Sequence, residues 1–198
     1  MAVADVLVTG ATVLYSATGT ALPNITSVAF NSYGSWSSWT SLGTTASPVR
    51  WMRQKEFYRY DAQQYADPAD MRVVGKSSAI RFEIAELTGP TLAVLLDGAN
   101  VTTAASGSSK GYYTVDYGSD LTTNKRQWAF EGFRPDSSGT LQPVRWFVYI
   151  AVLQLEGDFT FNKREATRAV CTLFPLVDTG KSSGADIGKI QIVTAPTT

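Results

Sequence analysis

The chain contains no histidine and a single cysteine, and these two counts decide most of what its side chains could do. Without imidazole, Ser-His-Asp and Cys-His activation of a nucleophile is not available in its usual form, and imidazole metal sites are excluded. One thiol, Cys171, cannot build a thiolate zinc site or an intramolecular disulfide. Lying in the apolar run Ala169–Val177, it reads as an inert buried group. The carboxylate pairs Glu83/Glu86, Asp116/Asp120 and Glu156/Asp158 have the residue type that a glycosidase places across a cleft. A chain with 17 acidic residues supplies such pairs by chance. No GxxxxGK[ST] occurs, and no GxGxxG lies between a strand and a helix, so phosphate-cradling loops are missing. The expectation is a protein that is not an enzyme and holds no cofactor or metal.

Binding chemistry is almost as thin. Lys163-Arg164-Glu165-Ala166-Thr167-Arg168 is the densest basic cluster, but nucleic-acid binding calls for more charge and aligned aromatics; a solvated turn or an ion-pair patch between subunits fits it better. Trp36 and Trp39 sit in a Ser-rich stretch and could stack on sugar rings, as in a carbohydrate-binding β-sandwich. The competing reading packs them beneath their own loop or into a subunit contact. Seventeen basic and 17 acidic residues cancel, which suits strong phosphate binding poorly and removes the net repulsion that keeps monomers apart.

The elements that would position these residues are mostly strands. Ile80, Phe82 and Ile84 alternate with Arg81 and Glu83, and Tyr113, Val115 and Tyr117 alternate with Thr114 and Asp116, the period-2 pattern of half-buried strands. Arg126–Phe133 and the returning Val144–Leu155 flank the turn-rich Pro135–Gly139 and predict an antiparallel hairpin. Shorter strands are expected at Asp5–Ser16, Val28–Asn31, Thr172–Val177 and Ile187–Val193. Thr88, with Pro90 just behind it and Asp97-Gly98 as a stop, predicts one short helix over about 88–97, lying across an open end or edge of the barrel or sandwich. Gly34–Pro48 and Lys55–Lys76 read as extended loops, which together give a long inter-strand loop at about 43–76 of the kind that serves function or a partner. Residues 178–198 read as a C-terminal arm within a single domain spanning 1–198.

Two features point to self-assembly. No charged side chain occurs from Val6 to Val49, although a monomeric domain normally interleaves charges to wet its surface. Along Val144–Phe161 both residue series begin apolar: Phe147, Tyr149, Ala151, Leu153 and Leu155 on one, Trp146, Val148, Ile150 and Val152 on the other, before the second turns polar at Gln154, Glu156 and Asp158. Either the chain's own helix covers the second face or a neighbouring subunit does. Gly157 is the expected place for a bulge or bend. The first residues carry no basic region of the kind that opens a signal peptide, the sequons at Asn24 and Asn100 are read as chance, and no run of about 20 apolar residues predicts a membrane span.

The order of several local patterns resembles the major tail tube proteins of long, non-contractile-tailed bacteriophages. Gly10-Ala11-Thr12-Val13-Leu14-Tyr15-Ser16-Ala17-Thr18-Gly19-Thr20-Ala21-Leu22-Pro23 is similar to their opening strand and turn. Trp39-Thr40-Ser41-Leu42-Gly43 resembles the W-x-x-L-G before their long loop, and Ala79–Glu86 leading into Thr88–Leu96 resembles their strand-then-helix centre. Val144–Ala151, Leu155-Glu156-Gly157-Asp158-Phe159-Thr160-Phe161 and Lys163-Arg164-Glu165-Ala166 resemble the closing strand, the G-D turn and the K-x-E-A segment.

That resemblance implies a tail-tube-type β-sandwich or barrel with one short helix, a long inter-strand loop and extended terminal arms. It implies hexameric rings stacked into a hollow tube of the virion tail, assembled in the bacterial host cytoplasm, with tape measure and terminator proteins as partners and double-stranded DNA in transit. The same fold underlies contractile-tail and secretion-system tubes. Glu156 and Asp158 are then candidates for an acidic channel wall. Trp146, Val148, Ile150, Val152, Tyr58, Tyr60, Tyr65, Ile190 and Ile192 are candidates for contacts between subunits.

Overall fold

The computed structural model describes residues 10–24, 28–30, 35–60, 70–118, 123–135, 139–157 and 168–193. It is mainly β with one short helix. The strands are β1 (Thr12–Ala17), β2 (Thr40–Thr44), β3 (Arg50–Tyr60), β4 (Asp70–Ile84), β5 (Ala99–Thr103), β6 (Tyr112–Asp116), β7 (Lys125–Pro135), β8 (Leu141–Glu156), β9 (Ala169–Pro175) and β10 (Gly188–Ile192); the helix α1 is Gly89–Leu95.

Eight strands form one antiparallel sheet in the order β2-β1-β7-β8-β9-β4-β3, with β10 paired to β8. The sheet curls until its ends meet. Thr45 bridges Ile84, the amide of Ala46 donates to the Glu83 carbonyl at 2.8 Å, and that of Ala85 donates to Thr44 at 3.1 Å. Closure removes most exposed strand edges and leaves a core of inward side chains. Val13, Leu42, Ile80, Phe82, Ile84, Trp128, Phe130, Cys171 and Leu173 are among its buried members. The alternation at Ile80, Phe82 and Ile84 thus points inward as expected, with Arg81 outside.

The helix lies over one end of this core, where the Thr88–Asp97 pattern placed it. The Thr88 hydroxyl accepts from the Thr91 amide at 3.3 Å, the Thr91 hydroxyl donates to the Leu42 carbonyl at 3.3 Å, and Val94 and Leu95 join the core. Seven residues could not hold a helix alone; packing does. Gly89 is required because a Cβ there would lie 2.5 Å from Tyr113, so β6 can lie directly on the start of the helix.

β8 is the spine of the molecule. One edge pairs with β7 along its length; the other is shared by β9 at Ala151–Glu156 and by β10 at Val144–Val148. Its inward parity changes midway. Trp146 and Val148 face the barrel core before Tyr149, and Ala151, Leu153 and Leu155 face it afterwards. The register against β7 accounts for this: Arg126 opposes Ala151 but Trp128 opposes Val148, so Tyr149 and Ile150 together oppose Gln127, a bulge. This bulge is additional to the bend expected at Gly157, which is present just past the end of β8 with a φ of 83°.

The outward face of the first half of β8 is covered by neither the helix nor a neighbour. Its cover comes from the described residues 22–24, 28–30 and 35–39, which lie on the outside of β1, β7 and β8. There Trp36 and Trp39, joined by Leu22 and Val28, bury Leu14, Ala129 and Phe147 in a second cluster. Much of the uncharged segment is thus internal packing within its own chain. Val28–Phe30 is not a strand, in contrast to the expectation for Val28–Asn31, because its carbonyls are engaged by a side chain. Arg145, fully buried, donates to the carbonyls of Val28 at 2.8 Å and of Asn24 and Ala29 at 3.4 Å, and to Glu131 at 3.0 Å. Its guanidinium lies 4.5 Å from the Phe30 ring centre and 4.8 Å from that of Trp36.

Candidate assembly interface

The long segment expected as a loop is a ribbon. β3 and β4 pair from Arg50/Arg81 out to Tyr60/Asp70, with a bulge on β4 at Val74. Only the base of the ribbon belongs to the barrel, through Ile80–Ile84 and β9. The rest projects, and every residue of β3 is exposed. The aperiodic look of Lys55–Lys76 has a physical cause. A ribbon buried on neither face by its own chain needs no apolar alternation, and the bulge shifts the parity of β4 relative to β3.

Cross-strand pairing sorts the ribbon into two unlike faces. One carries Trp51, Arg53, Lys55, Phe57 and Arg59 from β3, with Lys76, Val73 and Met71 from β4. It has cations and apolar groups but no acid among its described residues. The other carries Met52, Glu56, Tyr58 and Tyr60, with Arg72 paired to Asp70 at 2.9 Å. Aromatic, Met and Arg side chains together are the composition enriched in the cores of protein interfaces. Trp51, Phe57, Tyr58, Tyr60, Met71 and Val73 are all largely exposed, far more apolar surface than a solvated ribbon needs. At its base the first face opens into a cleft of about 670 Å³ between the ribbon and β10, lined by Trp51, Ile80, Trp146, Val148, Phe174 and Ile190 among others. Trp51 and Trp146 pack there with ring centres 5.4 Å apart.

The nine candidate contact residues divide by burial. Tyr58, Tyr60, Ile190 and Ile192 are exposed, while Ile150 and Val152 are half-buried. Val148 is 1% exposed in the barrel core, so it is corrected from a contact residue to a core residue; the bulge after it is what turned it inward. Trp146 is half-buried against the same core. Tyr65 lies outside the described residues, as do Asp158 and all of the Lys163–Arg168 cluster except Arg168. The strand expected within the C-terminal arm is β10, which folds back onto β8 of its own chain; it covers the stretch of β8 edge that β9 does not reach.

Glu156 ends β8 and sits 3.4 Å from Arg81 of β4, and Glu83 lies 3.9 Å from Arg168. Among the described residues, Glu156 and Glu83 thus each lie beside an arginine. Trp36 and Trp39, at 2% and 7% exposure, pack edge to face against each other, and both rings lie against Phe147. Their rings are not open to a sugar. Cys171 is buried in the barrel core, and burial, aided by the Glu156 charge, pushes its thiol from the ordinary 9.0 up to about 12. Among the described residues no group of three or more Cys, Asp or Glu could hold a metal ion. Compared with known proteins, the sequence matches no family model and no curated protein.

Proposed function

We propose that the chain is a structural subunit that assembles with copies of itself, as a tail tube protein of a long, non-contractile-tailed bacteriophage. In this reading it forms stacked hexameric rings in the virion tail, assembled in the bacterial host cytoplasm alongside tape measure and terminator proteins, and the channel conducts double-stranded DNA. One observation carries the assembly half of the proposal: an 11-residue strand, β3, exposed at every position and rich in the side chains that drive protein contacts. The ordered motifs from Gly10 to Ala166 carry the tail-tube half. A barrel filled with side chains and a buried thiol supports a building block rather than a catalyst.

Negative-stain microscopy of the purified protein at increasing concentration tests the reading. Rings or tubes of uniform diameter are the expected result. A species that sediments as a monomer at every concentration, with no rings on the grid, sinks it.

A further inference from the structure

β3 pairs with β4 on one side; among the described residues no strand pairs with its other edge over Arg50–Tyr60. A long exposed edge with unpaired N–H and C=O groups is a template for another strand. The residue order along this edge identifies which strand fits. Laid antiparallel against a second copy about a two-fold axis through Lys55, Arg53 falls opposite Phe57, Trp51 opposite Arg59, Arg50 opposite Tyr60, Met52 opposite Tyr58 and Gln54 opposite Glu56. Each of the three arginines meets an aromatic ring, and each pair occurs twice. Other registers that keep faces matched do worse: centring on Gln54 sets Arg53 against Lys55, and centring on Glu56 sets Glu56 against Glu56 and Arg53 against Arg59.

We infer that the free edge of β3 is self-complementary and joins two copies of this chain edge to edge, in antiparallel register centred on Lys55. The packing mode is already present within the molecule, where Arg53 lies over the Trp51 ring at 5.8 Å and Arg126 over Tyr15 at 5.4 Å. Such a contact is isologous and closes on itself. It caps the edge of the subunit instead of propagating, and so holds free subunits as dimers. Its one unfavourable pair is Lys55 with its own symmetry mate.

The two-fold axis makes the test specific. Directly opposite residues in an antiparallel pair have Cβ atoms about 4.5–5.5 Å apart, so the Lys55→Cys variant oxidised with diamide should become a covalent dimer through the introduced thiol of each copy. The native thiol of Cys171 is buried and does not compete. Arg53→Cys alone should cross-link poorly, because its symmetry mate lies four residues out of register, about 13 Å away at 3.3 Å per residue. Mixed with Phe57→Cys it should cross-link efficiently. Lys55→Gln should raise the dimerisation constant measured by sedimentation up to about fivefold, by removing the like-charged pair. Cross-linking of Arg53→Cys alone as readily as Lys55→Cys, or no dimer from either, overturns the proposal. The dimer does not rest on the tube reading. Tubes without a Lys55→Cys dimer remove only the dimer, and a dimer without tubes removes only the tube.

Discussion

Arg145 shows how one residue can organise a long uncharged segment. Its guanidinium finds a carboxylate, three main-chain carbonyls and two ring faces, and the side chain itself is fully buried. A buried charge is tolerated only when so fully engaged, and removing one partner of a buried pair costs about 3–5 kcal/mol. Arg145→Met should therefore lower the unfolding free energy by that amount in urea titrations, and adding Glu131→Gln should recover a large part of the loss. A single variant within about 1 kcal/mol of the parent, well below the cost of breaking a buried pair, would show that the pair is not what holds Asn24, Val28 and Ala29 in place. Cys171 gives a second residue-scale prediction. Its folded value near 12 lies above the ordinary 9.0, so its contribution to stability is complete below pH 9 and is lost as pH rises from about 9 towards 12. Folded protein at about pH 8, below both values, should resist iodoacetamide until denaturant is added; rapid native labelling would contradict its burial.

At the scale of elements, the ribbon is separable from the barrel. Lys55 and Lys76 are direct cross-strand partners, so replacing Glu56–Gly75 with Asn-Gly leaves a two-residue hairpin connection of the favoured kind. The deleted strand residues bury almost nothing in their own chain. The shortened protein should keep a cooperative thermal transition within a few degrees of the parent while losing rings on the grid. A collapsed transition would show that the ribbon supports the barrel, and normal rings would show that it is not the assembly element. Legibility in the sequence divides along the same line. Ile80–Ile84 was readable because its side chains alternate between one core and the outside, the helix because Thr88 caps it, and the β7–β8 hairpin because turn residues separate two apolar runs. The ribbon was not, because neither of its faces meets its own core. Val148 was misplaced because the bulge at Tyr149 and Ile150 has no glycine or proline to mark it. The cover of Phe147 by Trp36 and Trp39 is a contact between segments far apart in the chain, and no local pattern announces it.

For the whole molecule, neutrality conceals an uneven distribution. The segment 50–81 carries Arg50, Arg53, Lys55, Arg59, Arg72, Lys76 and Arg81 against Glu56, Asp61, Asp67 and Asp70, an excess of three cations, while the chain has equal numbers of each sign. The remainder of every copy is thus acidic by three charges. A head-to-tail contact, as in a ring, sets the basic ribbon of one copy against the acidic remainder of the next. A two-fold contact through β3 sets basic ribbon against basic ribbon. Salt separates the two, because screening lengths fall from about 10 Å at 0.1 M to about 3 Å at 1 M. Raising sodium chloride across that range should weaken ring formation and strengthen the β3 dimer, which sedimentation velocity resolves as opposite shifts in one titration. Both species weakening together would mean that the ribbon meets an acidic surface in each, and the register centred on Lys55 would then be wrong.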